Sequence, residues 1–261
     1  MEFAMTATGI GALDHLGIVV ADAPEAAEAF AALSGLPVPQ IRDNHGEGMR
    51  ARGVQYRGEP IGGGTYAAWF SLAGAAVNLM APNGGPSPWS DHLDTLGPGA
   101  CYLAFSVSDS AATLEALDAL GYPTVQTGRT GGGASYGYGD AREALGVYLE
   151  ILPGRAAPGG IATPDPAEDA PRLAAIGFAV ADAGAAAEGW ARVLGLDPPE
   201  AAGGEAVLTM EGGVRLEFCT ETGGGAPVIR DCTLAASSPA GLPSNSDAGA
   251  ERLLGVRFSA A

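Results

Sequence analysis

The chain has 261 residues, 47% of them apolar, which suffices for one large or two small domains with real cores. Its net charge of −17 works against binding nucleic acid or anionic membrane surfaces, and its 13 basic residues are all arginine, which excludes lysine Schiff-base chemistry and the P-loop lysine. Three cysteines without a CxxC spacing, no apolar run of about 18 residues and no basic-then-apolar leader together predict a cytoplasmic protein with neither disulfide framework nor membrane span.

In chain order, the first element is LDHLGIVVAD at residues 13–22, a strand-like run ending at Asp22, after which Ala26, Phe30 and Leu33 recur at helical spacing. Asp22 is placed to accept from free N–H groups of the first helical turn, with Pro24 early in that turn, Glu25 at the capping-box position and Gly35 to close the helix. A polar, glycine-bearing run, RDNHGEGMRARG, reads as a loop. TYAAWFSL (65–72) and AAVNLMAP (75–82) are strand-like, and SPWSDHLDTLG is a short helix with Ser87 as cap and Pro88 in its first turn. CYLAFSVSDSAATLEALDALG (101–121) repeats the strand, Asp and helix, with Asp109 as cap; ASYGYGD (134–140) and LGVYLEILP (145–153) are further strands. Residues 155–172 hold four prolines and no core pattern, so they read as a linker. LAAIGFAVAD, capped by Asp182, then opens another copy, followed by EAVLTMEG, VRLEFCTE and two last strand candidates, VIRDCTLAAS and RLLGVRFSAA. The glycine runs IGGG and GGGAS lack the strand-to-helix context of a phosphate loop and read as hairpin turns, so no nucleotide cofactor is expected.

Residues 13–39 align with 173–199 without a gap at 13 identities in 27 positions, an internal duplication in which Ala175 stands where the first copy has His15. The stretch 101–121 is a weaker third copy with Tyr102 at the histidine position.

A duplicated βαβββ unit opening on DHLGIVVAD and closing on VYLEILP resembles the vicinal oxygen chelate superfamily, which includes glyoxalase I, methylmalonyl-CoA epimerase, extradiol dioxygenases and bleomycin-resistance proteins. The resemblance implies an α+β fold in which two units form an open curved sheet around a cleft. It divides the chain into a complete two-unit domain at 1–154, the linker at 155–172, and a degenerate third βαβββ unit with a partial fourth at 173–261. Carried over by position, the first-strand ligands of the family's divalent metal would be His15 and Tyr102, and the last-strand ligands Asn78 and Glu150. His15 and Glu150 match the family's usual pattern, whereas Tyr102 replaces a His and Asn78 a Glu or Gln. An oxygen-rich set of this kind suits Mg, Mn, Co, Ni or Fe(II) if a metal is bound. The third unit keeps Glu217, read as equivalent to Glu150, but has lost the histidine, so it reads as scaffold.

Strand alternation puts His15 with Gly17 and Val19, Asn78 with Met80, Tyr102 with Ala104, and Tyr148 with Glu150. A buried carboxylate between Leu149 and Ile151 needs a partner or a purpose; His15 and Tyr102 could instead be packing residues. Tyr56, Tyr66, Trp69, Tyr136 and Tyr138 are candidates for the pocket wall, with Tyr148 and Met80 beside them. His45 reads as a loop residue, His92 as surface or packing, and Arg50, Arg52 and Arg57 as a local positive patch.

Three readings stay open. The first is an isomerase, lyase or cyclase that stabilises an enolate of a small carbonyl substrate, with Glu150 or His15 as base and Tyr102 and Asn78, or a metal, holding the oxyanion. The second is a non-catalytic protein that sequesters a drug or metabolite, and the third a structural partner in a larger complex. Because some family members pair units between subunits, a homodimer is also open.

Overall fold

The computed structural model describes residues 8–154, 165–222, 225–236 and 248–261; most of the stretch read as a linker, 155–164, lies outside them. The first unit comprises β1 (Leu13–Val19), α1 (Ala23–Ser34), β2 (Arg42–Asn44), α2 (Gly46–Ala51), β3 (Gln55–Tyr56), β4 (Glu59–Pro60), β5 (Gly64–Phe70) and β6 (Ala76–Asn83). After α3 (Pro88–Leu96) the second unit follows as β7 (Gly99–Val107), α4 (Ser110–Ala119), β8 (Thr124–Arg129), β9 (Ser135–Asp140), α5 (Arg142–Leu145) and β10 (Tyr148–Pro153). The remainder is β11 (Arg172–Val180), α6 (Ala183–Leu194), β12 (Glu205–Thr209), β13 (Arg215–Thr220), β14 (Val228–Ala235), α7 (Ala248–Leu254) and β15 (Arg257–Ala260).

The three long α-helices that follow first strands start where an aspartate ends the strand. Asp22, Asp109 and Asp182 are extended and accept from the backbone N–H of Glu25, Ala112 and Ala185 at 2.9, 3.0 and 3.0 Å, satisfying donors that the first turn leaves free. RLLGVRFSAA, by contrast, is not one strand: its first residues finish α7, Gly255 at φ 63° turns the chain, and β15 follows.

The first sheet has ten strands in the order β2-β5-β6-β1-β7-β10-β9-β8-β3-β4, so the two units join first strand to first strand. β2 and β3 are separated only by residues 45–54 yet lie near opposite ends of this order, β3 being bonded to β8. A connection that short forces the sheet to curl until its ends approach, which makes the cleft. The second sheet runs β12-β13-β11-β14-β15 and repeats the central pairing. β1 slips register against β7 at Leu13/His15 and Gly17/Ile18, and β11 slips against β14 at Leu173/Ala175 and Gly177/Phe178, so the two copies share both irregularities.

Alternation along β1 sends Leu16 and Ile18 outward under α1 and His15, Gly17 and Val19 inward. The outward faces of both sheets merge, with their helices, into one apolar core that includes Phe30, Phe105, Trp190 and Phe258. α1 packs on α7, Phe30 of α1 meets Phe258 of β15 edge to face at 5.1 Å, and α5 packs on α6. Among the described residues no helix is long and apolar enough to cross a membrane. The cysteines are unbridged, Cys101 and Cys232 buried and Cys219 exposed.

Candidate functional site

A cleft of about 380 Å³ opens on the inner face of the first sheet and brings His15, Asn78, Tyr102 and Glu150 together from four adjacent strands, β6, β1, β7 and β10. All four are buried. Trp69, Met80, Tyr136 and Tyr138, four of the sequence candidates for the pocket wall, line the same cleft. Three expected pocket residues do not. Tyr66 is one residue out of phase with Trp69 on β5 and faces away, exposed; Tyr56 is turned aside to donate to Asp91 at 2.8 Å; Tyr148 lies under the Arg142 guanidinium, 4.4 Å from ring centre. Of the expected arginine patch only Arg52 reaches the cleft, since Arg57 pairs with Asp91 and Arg50 donates to the Gly62 carbonyl. His45 is exposed beside Asp43, and His92 is packed in α3, where burial and then the Arg142 charge lower it to about pH 4.

His15 is the centre of the arrangement. Its Nδ1 lies 2.8 Å from Asp14 Oδ1, its Nε2 3.1 Å from Glu150 Oε2, and Ser106 donates to the other Asp14 oxygen at 2.9 Å. Strict alternation would point Asp14 to the opposite face from His15. The register slip at Leu13/His15 marks a bulge at Asp14 that lets its side chain turn to the imidazole. Burial alone would push His15 down, but the bonds to Asp14 and Glu150 and their charges outweigh it and hold its pKa at about 9. Trp69 meets the imidazole edge-on at 4.7 Å and Tyr102 at 5.6 Å, which fixes the ring.

Tyr102 lies across β1 at Gly17, where a Cβ would stand 2.0 Å from its ring. Glycine in the middle of a strand is therefore the seat of the tyrosine. Asn78 Nδ2 donates to the Tyr102 hydroxyl at 2.8 Å, leaving the phenol's own proton as a donor. Burial, then the Glu150 charge, push Tyr102 and Tyr138 well above the ordinary phenol range, so both stay neutral.

Among the described residues, two buried oxygens in this cluster are poorly satisfied: Asn78 Oδ1 has no hydrogen-bond partner, and Glu150 Oε2 has the contact with His15 Nε2 alone. Beside His15 Nε2 they form an imidazole, carboxylate and amide donor set. That set fits the divalent ion the superfamily implies, held by His15, Glu150 and Asn78, while neutral Tyr102 is not suited to be a fourth ligand. Asp14 on the far nitrogen is the partner a ligating histidine normally has. Among the described residues no group of three His, Cys, Asp or Glu side chains is arranged to hold a metal, so the amide is needed to complete any such site.

A second concavity of about 480 Å³ lies on the other sheet. Register identifies the positions on this sheet that correspond to the first site: Ala175 takes the place of His15, Asp231, which lines the concavity, that of Tyr102, and Ser259 that of Glu150. Glu217 pairs with Gly177 as Asn78 pairs with Gly17, so it corresponds to Asn78 rather than to Glu150, and it is bound to Arg215 at 2.9 Å. With no imidazole in the place of His15, this face cannot repeat the chemistry of the first.

Sequence reasoning missed Asp14, Gly17 and Ser106, and also Arg42 and Arg129, which join Arg52 at the cleft mouth. The glycine inside an apolar strand was the one readable signal among them.

Comparison with known proteins agrees with this architecture. Residues 14–138 match the family described as the glyoxalase/bleomycin resistance protein/dioxygenase superfamily. A variant of 4-hydroxymandelate synthase from Streptomyces coelicolor is similar over 95% of this chain and 75% of its own, at 13% identity and a TM-score of 0.57. A fusion of a xylose isomerase-like TIM barrel with 4-hydroxyphenylpyruvate dioxygenase is similar over 92% of this chain and 40% of its own, at 12% identity and a TM-score of 0.50. Methylmalonyl-CoA epimerase from Mycobacterium tuberculosis is 26% identical over 57% of this chain and 91% of its own, with a TM-score of 0.42. No curated protein sequence matches significantly. Residues 14–138, which carry most of the two units joined in one curled sheet, are thereby identified as a glyoxalase/bleomycin resistance protein/dioxygenase superfamily region, the vicinal oxygen chelate type.

Proposed function

We propose that the chain is an enzyme of the isomerase, lyase or cyclase kind that removes a proton from the carbon next to a carbonyl and stabilises the resulting enolate. The observation that carries this reading is the buried contact of His15 Nε2 with Glu150 Oε2 at 3.1 Å, facing a neutral phenol–amide pair on the floor of one cleft. Glu150 is the base: it lines the floor of the cleft, and the His15 imidazolium 3.1 Å from its Oε2 takes up the charge change as the proton arrives. Asp14 holds the imidazole by its other nitrogen. Tyr102 donates its hydroxyl proton to the developing oxyanion, and Asn78 keeps that hydroxyl aimed. Trp69, Trp89, Tyr136 and Tyr138 wall the site and limit water. His15, Glu150 and Asn78 would hold a divalent ion such as Mg, Mn, Co, Ni or Fe(II), which when bound polarises a substrate carbonyl oxygen.

The test is loss of α-protons in D2O, followed by NMR over a panel of small 2-oxoacids and malonyl-type esters. It is run on chelator-treated protein and again with Mn(II) or Mg(II). Exchange with at least one class, abolished in Glu150→Gln, is the expected result. Tight binding without exchange under any of these conditions would favour the sequestering reading instead.

A further inference from the structure

We propose that the mouth of the cleft is an oxyanion site made by Arg42, Arg52 and Arg129, so that the substrate has two ends: the reacting carbon on the floor and a carboxylate or phosphate at the entrance. This rests on the reading of the cleft as a substrate site.

The three arginines come from elements far apart in the sheet: Arg42 opens β2, Arg52 caps α2, and Arg129 ends β8. Curling of the sheet brings them to one mouth. Arg129 N donates to Arg52 O at 3.2 Å, so two guanidinium-bearing residues are fixed side by side by the backbone. Like charges held together cost free energy unless an anion joins them. The chain is not short of carboxylates, with 30 Asp and Glu against 13 Arg. Elsewhere Arg57, Arg142, Arg215, Arg230 and Arg257 each pair with one. None of the three at the mouth pairs with a carboxylate among the described residues: Asp43, next to Arg42, turns to His45 at 3.3 Å, and Arg129 donates to the Gly133 carbonyl at 3.0 Å. Among the described residues the only acidic side chain lining the cleft is Glu150 on its floor. An acidic protein thus keeps a cationic entrance clear of its own acids. The planar, always charged guanidinium suits carboxylate and phosphate oxygens.

The experiment titrates the whole chain with malonate, with inorganic phosphate and with neutral malonamide at constant ionic strength, reading the fluorescence of Trp69 and Trp89, which line the cleft. Saturable quenching by malonate or phosphate, and none by malonamide, is expected; the tighter of the two anions identifies the oxyanion type. Arg42→Gln, Arg52→Gln and Arg129→Gln should each weaken it roughly ten-fold, as loss of one charged hydrogen-bond partner does. Arg192→Gln, on the exposed side of α6, should change nothing. Equal binding of malonamide, no response to either anion, or wild-type affinity in the triple arginine variant would overturn the proposal. Glu150→Gln should stop proton exchange but leave malonate at the mouth. Arginine-dependent anion binding in a wild type that shows no exchange would therefore sink the catalytic reading and keep this one.

Discussion

A Cβ on Gly17 would stand 2.0 Å from the ring of Tyr102, so the strand that carries His15 gives up one side chain to let a tyrosine from the neighbouring strand lie flat in the cleft. The second sheet keeps the same device for a different residue: at Gly177 a Cβ would meet the Asp231 carboxylate at 2.2 Å. Gly17→Ala should force the phenol out of place. Overpacking of this kind costs about 1–3 kcal/mol, measurable by denaturant unfolding. Proton exchange should fall as far as in Tyr102→Phe, which removes one oxyanion donor and with it roughly 10²-fold in rate or more. Tyr102→Phe should fold normally, because the ring still fills its seat. Unchanged exchange in Tyr102→Phe would remove the hydroxyl from the mechanism.

Asp14 should act on the reaction only through His15. Asp14→Asn keeps the shape and the bulge but removes the charge that holds Nδ1, and loss of such a supporting partner typically costs 10- to 100-fold. The pH at which exchange depends on His15 should shift downward, because one of the two carboxylates raising its pKa is gone. A merely structural Asp14 would lower stability and leave the pH profile where it was. Asp22→Ala is the contrasting case: a lost helix cap costs about 0.5–2 kcal/mol of stability, with the exchange rate per folded molecule unaltered.

What the sequence disclosed and what it concealed divide along the range of the interactions. The strands and the three aspartate caps follow from local patterning, and alternation within six to nine residues survives any tertiary context that buries one face, whereas the set of His15, Asn78, Tyr102 and Glu150 came from the family resemblance. RDNHGEGMRARG looked like a loop because β2 is only three residues long and gains its hydrogen bonds from β5, far along the chain, while α2 is a short helix carrying two glycines and no side-chain cap. Asp14 was hidden by a bulge that breaks alternation at one residue. Tyr66 was misassigned by a one-residue phase error on β5, and Tyr148, in phase with Glu150, was drawn off by Arg142. Arg42 and Arg129 meet at the mouth only because the sheet curls, which no local pattern encodes.

His92 should make stability sensitive to mild acid. Buried in α3 beside Arg142, it stays neutral in the folded chain down to about pH 4, whereas in the unfolded chain it takes up a proton below about 6.5. Between those values the unfolded state binds more protons, so stability rises with pH across the window and is lost as pH falls from about 6.5 to about 4. The loss is on the order of 3 kcal/mol. Urea unfolding at pH 7, 6 and 5 should show it, and the upper half of the window lies above the range where carboxylates titrate. His92→Gln should flatten that part of the curve; an unchanged slope would assign the acid sensitivity to other groups.

The last prediction concerns whether the second sheet is an appendage or part of the folding unit. Phe30 of α1 and Phe258 of β15 are both fully buried, and their rings meet at 5.1 Å in an apolar core shared by residues of both sheets. Thr8 ties the same seam by donating to the Val193 carbonyl at 2.6 Å. Cutting the chain at residue 160 would uncover Phe30 and the outer face of α1, so the first two units alone should be poorly soluble or should associate to cover that face. A gentler test leaves the chain whole. Phe258→Ala removes a buried ring at a cost of about 3–5 kcal/mol. If both sheets fold as one unit, calorimetry should give a single transition moved to lower temperature, and malonate binding in the distant cleft should be lost across that same transition. Two transitions, with the binding cleft melting at the wild-type temperature, would show that the first two units hold their structure without the rest.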